Sequence, residues 1–204
     1  MRLILVSLLF VFSPYLYGQN NDSENKLGIK TSINASTIFG SELINPRFKY
    51  GYTAGAYYQY SINKKWAFQT EFLGNFKGSK FKNGIGKYSK IATFYLDLPL
   101  LAVRHLDNNK TQSLLIGPSI SYLALSSLFI GQQKKAELNV LDLKDMDFGV
   151  AIYYQKNSKI ASFQIGAKIG LTNVNNGINF VDIKPATGNN GTIKNLGLEI
   201  GFLF

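Results

Sequence analysis

Residues 195–204 read NLGLEIGFLF, and this stretch decides the fold class. Leu196, Leu198, Ile200, Phe202 and Phe204 share one parity, and most residues of the other parity are small or polar. A two-residue alternation of this kind indicates a β-strand with one apolar face. A terminal strand that carries no polar tail and ends on an aromatic residue needs a partner strand to hold it, because chain ends otherwise fray.

Seven more segments show strand character, so the sequence predicts eight strands. Ordinary globular strands average about 5–6 residues, whereas a tilted strand needs about 9–11 residues to cross a bilayer. Most of the predicted strands reach the longer range. They cover residues 26–34, 50–60, 66–76, 91–103, 112–124, 146–155, 160–171 and 192–204.

The connections between these segments alternate in length. Short turns beside longer loops are typical of outer-membrane barrels, which have short periplasmic turns. The sequence therefore predicts an all-β, eight-stranded antiparallel transmembrane up-and-down barrel over residues 26–204. We expect it in the outer membrane of a Gram-negative cell, with both termini periplasmic and the last strand paired with the first. The long connections are 35–49, 77–90, 125–145 and 172–191; the short ones are 62–65, 104–111 and 156–159.

The two faces of the strands separate a membrane barrel from a secreted, soluble ligand carrier. A soluble eight-stranded carrier points its large apolar residues inward. Here that face carries Trp66, Phe68, Phe72 and Phe148, among other aromatic residues, which is too much volume for a narrow lumen. The opposite face is rich in Gly, Ala, Ser, Thr and Gln, which fit inside. We therefore expect the aromatic face to contact lipid.

The first 18 residues have the pattern of a secretory signal peptide. Arg2 precedes an apolar run over residues 3–12, Pro14 interrupts it, and Gly18 precedes a plausible cleavage point. The run is shorter than the roughly 20 residues of a membrane-spanning helix. The alternative is a buried N-terminal helix. Residues 19–25 form a short polar lead to the barrel.

Several quoted segments carry a family resemblance. YLDLPLLAV (95–103), GPSISYL (117–123), DFGVAI (147–152) and FQIGAKIGLTNV (163–174) precede LGLEIGFLF (196–204) in this order. The ordered set resembles the PorT-type outer-membrane β-barrel family, and the barrel is similar to small OmpA-like and OmpX-like proteins. The resemblance implies a link to protein secretion across the outer membrane. It also implies that Phe202 and Phe204 form a terminus read by the outer-membrane assembly machinery.

Catalysis and nucleic-acid binding are both disfavoured. The chain has no Cys, which excludes disulfides and Cys-ligated metals, and we expect no cofactor. Its single histidine, His105, falls in a short turn, where we expect it to be solvated rather than to act as a general base. The formal charge of +10 is explained by lysines near the ends of the strands, so no nucleic-acid partner is needed.

Two sets of charged residues are candidate sites. The first consists of lysines of the second long loop, which we expect either to be solvated or to contact lipopolysaccharide phosphates or an acidic partner: Lys77, Lys80, Lys82, Lys87 and Lys90. The second consists of charges of inward parity, which would form a lumen network: Lys30, Glu71, Asp97, Asp147, Lys168 and Glu199.

The lumen set makes four geometric predictions. Two cations face four carboxylates, and Glu199 should lie close to Lys30. Asp147 and Lys168 could pair. If Glu71 and Asp97 approach closely without a cation, one of them should stay protonated. The network is either a hydrogen-bonded plug or an ion path. The plug matches an interaction or structural barrel, which could be an accessory of secretion. The ion path matches a small pore. The long loops 125–145 and 172–191 would either carry a partner surface or extend the strands.

Overall fold

A computed structural model describes residues 25–40, 46–82, 88–130, 133–136, 143–174 and 192–204. The predicted signal peptide and nearly all of the polar lead lie outside these residues, so both stay predictions. Nine strands occur in the described residues: β1 Lys26–Gly40, β2 Arg47–Ser61, β3 Trp66–Lys82, β4 Tyr88–His105, β5 Gln112–Ile130, β6 Gln133–Ala136, β7 Met146–Lys156, β8 Ser162–Gly170 and β9 Ile193–Leu203.

Eight of these strands form a closed antiparallel barrel, as predicted. Each barrel strand pairs with its neighbours in chain order, β4 pairs with β5, and β9 closes the barrel against β1. The short β6 pairs with the end of β5 and extends it. The seam continues to the last residue, because Phe204 donates to the Ile29 carbonyl (2.9 Å) and accepts from the Ile29 amide (3.0 Å). A closed sheet leaves no edge strand with unpaired backbone groups.

The alternating faces of the strands lie as the sequence predicts. Aromatic residues such as Phe72 and Phe148 are 61% and 51% exposed on the outside. Polar residues of the opposite parity, such as Thr53, Gln69 and Ser121, are buried inside. An apolar outer band of this kind is stable in hydrocarbon, which confirms the orientation of the faces.

The connections differ between the two ends of the barrel. Three short turns lie at the end that carries Asn25 and Phe204, hereafter the termini end; they cover residues 62–65, 106–111 and 157–161. The opposite end, hereafter the loop end, carries the longer connections. Among the described residues, no helix has the length and apolar character that a membrane crossing requires.

Three of the four long loops are shorter than predicted, because β1 to β5 continue toward the loop end; the loop predicted over 172–191 is not shorter. The predicted loop 77–90 is wrong at both edges, since β3 runs to Lys82 and β4 begins at Tyr88. Polar contacts rather than apolar alternation hold these extensions together. Ser36 donates to the Gly78 carbonyl (3.0 Å), and the hydroxyls of Thr37 and Ser79 lie 3.2 Å apart. A search for alternating apolar residues therefore ends the strands too early.

Candidate functional site

Inward-facing charges fill the middle of the barrel. Lys30, Glu71, Asp97 and Glu199 are at most 5% exposed, and they come from β1, β3, β4 and β9. Their inward direction follows from the two-residue period of a strand, because the residues just before and after each of these charges face outward. Buried charges need partners. The structure supplies these partners as a chain of ion pairs.

Lys30 is the centre of the first part of this chain. Its Nζ lies 2.9 Å from Glu71 Oε2 and 2.9 Å from Glu199 Oε1. The same ammonium lies 4.4 Å from the centroid of the Tyr153 ring, a cation–π contact. Ser32 donates a further hydrogen bond to Glu199 (2.8 Å). The predicted proximity of Lys30 and Glu199 is therefore present.

Lys168 and Lys77 continue the chain toward the loop end. Lys168 Nζ lies 3.7 Å from Glu199 Oε2 and 3.2 Å from Asp97 Oδ2. Lys77 Nζ lies 3.5 Å from Asp97 Oδ1 and 4.1 Å from the centroid of the Tyr95 ring. The charges alternate in sign along the order Glu71, Lys30, Glu199, Lys168, Asp97, Lys77, which we call the charge ladder.

Lys77 corrects the prediction that placed it in a loop. It has the same parity as Glu71, Leu73 and Asn75 on β3, so its side chain points into the lumen. This parity was the signal that sequence reasoning missed by ending the strand at residue 76. The lumen therefore contains a third cation, and the ladder pairs three cations with three carboxylates.

Two lumen contacts that the sequence allows are absent. Asp147 does not pair with Lys168, because Lys168 lies opposite Ala151, four residues along β7 from Asp147 (151 − 147). At about 3.3 Å per residue this separation is roughly 13 Å. Asp147 instead accepts a hydrogen bond from Asn195 (2.7 Å). Glu71 and Asp97 do not form an uncompensated acidic pair either, since each has its own lysine in the ladder.

Apolar side chains of β3, β4, β5 and β7 fill one side of the lumen between the ladder and the termini end. They form one buried cluster, whose members are at most 2% exposed, and we call it the apolar layer: Ala67, Leu101, Val103, Leu115, Ala151 and Tyr153. Gly166 leaves room for part of this layer, because a β-carbon there would overlap the Tyr153 ring. Buried polar side chains lie at the same depth, since Gln69 is the register partner of Leu101.

A small cavity remains on the loop-end side of the ladder. Its volume is about 40 Å³, and its lining includes Asn34, Asn75, Ser119, Asp147 and Asn195. One water molecule needs about 10–15 Å³, so the cavity holds about three. Amide groups connect this region to the ladder, since Asn34 donates to Asn75 (3.1 Å) and Asn75 donates to Asp97 (2.7 Å).

His105 is not the solvated turn residue that the sequence predicted. It ends β4, is 6% exposed, and its Nδ1 lies 2.9 Å from Ser113 Oγ. A nucleophilic serine needs a base that a third group orients. Among the described residues, no hydrogen-bond partner faces His105 Nε2, so this third group is missing. Within the same residues, no group of three or more His, Asp and Glu could hold a metal ion.

The remaining predicted site residues lie on the outside or beyond the described residues. Phe202 and Phe204 are 48% and 59% exposed, and the Phe202 ring lies 5.8 Å from that of Phe163. Lys80 is exposed near the loop end and Lys90 is partly buried there. Lys87 and the side chain of Lys82 fall outside the described residues. Contacts of these lysines with lipopolysaccharide stay a prediction.

Comparisons with solved structures find other outer-membrane barrels. Ail, the attachment invasion locus protein of Yersinia pestis, is 14% identical (TM-score 0.45, 89% of this chain and 99% of Ail). Neisserial surface protein A is 11% identical (TM-score 0.47, 88% and 97%). OprG from Pseudomonas aeruginosa is 13% identical (TM-score 0.48, 87% and 94%).

No curated protein sequence matches this chain. A family model does match, over residues 17–176, and its description is "Outer membrane protein beta-barrel domain". The match covers more than half of the chain and includes β1 to β8. The chain therefore belongs to the outer membrane protein β-barrel domain family.

Proposed function

We propose that this outer-membrane protein is a closed, non-enzymatic barrel that acts as an interaction or structural protein. The observation that carries this proposal is the filled lumen, in which the charge ladder spans the middle, and the apolar layer together with buried polar side chains fills the side toward the termini end. An eight-stranded barrel is about wide enough for its own side chains. Function then belongs to the two ends of the barrel.

The proposal includes an orientation and a role in secretion. The three short turns favour a periplasmic termini end, since outer-membrane barrels have short periplasmic turns. Residues 1–18 would serve as the signal peptide for export. The PorT-type resemblance favours an accessory role in protein secretion across the outer membrane. Affinity isolation of the native protein should then recover a stable membrane or periplasmic partner, and its deletion should change the set of secreted and surface proteins.

The first experiment measures conductance of the pure protein in planar bilayers. We expect no sustained current, because buried side chains fill the lumen of an eight-stranded barrel. An open porin of known conductance is the positive control for insertion. Reproducible single-channel currents from the wild-type protein would contradict the closed barrel.

The second candidate function is a small pore, which the cavity on the loop-end side favours. A path through the lumen would have to pass the carboxylates of the charge ladder. If the protein conducts, the Glu71→Gln and Asp97→Asn variants should therefore carry less current than the wild type. The matched control is Asp145→Asn, because Asp145 is exposed at the loop end.

A further inference from the structure

The termini end of the barrel carries a ring of positive charge. Seven cations lie in its turns or at the adjoining strand ends: Lys26, Lys64, Lys65, Arg104, Lys110, Lys156 and Lys159. They come from the start of β1 and from all three short turns, so they are distributed around the circumference.

Among the described residues, only one carboxylate side chain lies at this end. Asp107 accepts hydrogen bonds from the backbone N–H groups of Gln112 (2.7 Å) and Thr111 (3.0 Å) and from the Thr111 hydroxyl (2.8 Å). These hydrogen bonds lower the pKa of the Asp107 carboxyl, and the bond from the Gln112 N–H has the largest effect. Its oxygens hold the turn together, and none of the seven cations forms an ion pair with a described carboxylate.

The same end exposes aromatic and aliphatic side chains beside the cations. Trp66 is 42% exposed, and the Arg104 guanidinium lies 5.4 Å from the centroid of its ring. Each short turn also presents one exposed aliphatic residue, and these are Ile62 (59%), Leu106 (54%) and Ile160 (89%). Tryptophan and aliphatic groups favour the boundary between headgroups and acyl chains, where basic side chains reach phosphates.

We propose that the termini end binds anionic phospholipid headgroups, with Trp66, Arg104, Lys64 and Lys65 as one headgroup site. The class of ligand follows from the charge. A phosphodiester with a net negative charge compensates the unpaired cations, whereas a zwitterionic headgroup brings its own positive charge. A ring of cations fits the lipid that surrounds a barrel on all sides, and an acidic protein would contact only one sector of it.

The experiment uses Trp66 as its own reporter, because it is the only tryptophan of the chain. The folded protein is reconstituted in bilayers that contain brominated-acyl phosphatidylglycerol or brominated-acyl phosphatidylethanolamine, and quenching of Trp66 fluorescence gives the relative affinity of the two lipids. At about 0.1 M salt we expect phosphatidylglycerol to be favoured about fivefold, the effect of about 1 kcal/mol for one basic residue near an anionic surface. At about 1 M salt, where the screening length is about 3 Å, the preference should fall toward one.

Two triple variants complete the test, and neither depends on which side of the membrane the termini end occupies. Lys64→Gln/Lys65→Gln/Arg104→Gln should remove the preference for phosphatidylglycerol. Lys80→Gln/Lys144→Gln/Lys194→Gln, which removes as many charges at the loop end, should retain it. Equal quenching of the wild type by both lipids at low salt would overturn the proposal and leave the cations to an acidic protein partner. A preference that survives in the first triple variant would overturn it as well.

Discussion

Lys30 shows how one residue fixes the interior of this barrel. Its ammonium is fully buried, contacts two carboxylates at 2.9 Å, and lies over the Tyr153 ring. Glu71 and Glu199 would be left close together without their shared cation if Lys30 were removed. Burying an unpaired charge costs far more than a buried ion pair contributes.

We therefore predict that Lys30→Met destabilises the folded barrel by about 3–5 kcal/mol, the range for breaking a buried ion pair by removal of one partner. Urea unfolding in lipid vesicles, followed by the gel mobility of unheated samples, measures the change. The control is Lys26→Met on the same strand, because Lys26 forms no ion pair with a described carboxylate. Equal stability of the Lys30→Met variant and the wild type would show that the ladder does not stabilise the fold.

At the scale of the strand, β3 divides one run of lysines between two environments. Lys77 points inward to Asp97, while Lys80 is exposed near the loop end. The sequence predicts Lys77 and Lys80 in the same loop and gives them the same possible contact with lipopolysaccharide. The structure therefore separates a residue of the interior from those that remain candidates for lipopolysaccharide.

This division gives a paired prediction. Replacing Lys80, Lys82, Lys87 and Lys90 by Gln should weaken lipopolysaccharide binding, and the loss should shrink as salt is raised because exposed charges are screened. Lys77→Gln should leave that binding unchanged but lower the stability of the barrel, since Asp97 loses one of its two lysines. Binding is measured by co-elution with purified lipopolysaccharide. Unaltered co-elution of the quadruple variant would show that these four lysines are solvated and do not bind lipopolysaccharide.

The same strands show what the sequence predicts and where it fails. Apolar alternation located all eight barrel strands and the inward parity of the six predicted lumen charges, because a bilayer imposes the pattern on every strand. It did not locate the strand ends, since above the bilayer hydrogen bonds such as that of Ser36 to Gly78 replace apolar alternation.

A local irregularity adds a second limit. The pairing of β4 with β5 shifts between Phe94 and Tyr95, and the buried positions of β5 change from Leu123 to Ser126, from odd to even parity. A β-bulge of this kind depends on the geometry of the partner strand. Ion-pair partners also depend on other strands, because Lys168 and Asp97 lie on strands that are not neighbours. Parity gives the direction of a side chain, whereas the register around the whole barrel decides its partner.

At the scale of the molecule, the seam between β1 and β9 decides whether the barrel is assembled. Phe204 pairs with Ile29 and its side chain faces outward. We predict that Phe204→Asp, or deletion of Phe204, lowers the amount of folded barrel in the outer membrane. Unheated gel samples of membrane fractions measure it, and Phe204→Leu is the conservative control.

A second measurement separates recognition by the assembly machinery from stability. The Phe204→Asp protein is refolded in vesicles without any cellular factor. Normal refolding together with a loss in cells would assign Phe204 to recognition. Wild-type amounts of the folded variant in cells would contradict both roles.

The seam also constrains the order of events during folding. Ile29 and Phe204, which exchange two hydrogen bonds, are separated by 175 positions along the chain (204 − 29). Contacts this distant in sequence form late, because the entropy of the intervening chain is lost before they contribute. The seven pairings between successive barrel strands are local by comparison, but none of them can complete the cylinder. Hairpins can therefore form early, but the barrel closes only once β9 is available to pair with β1.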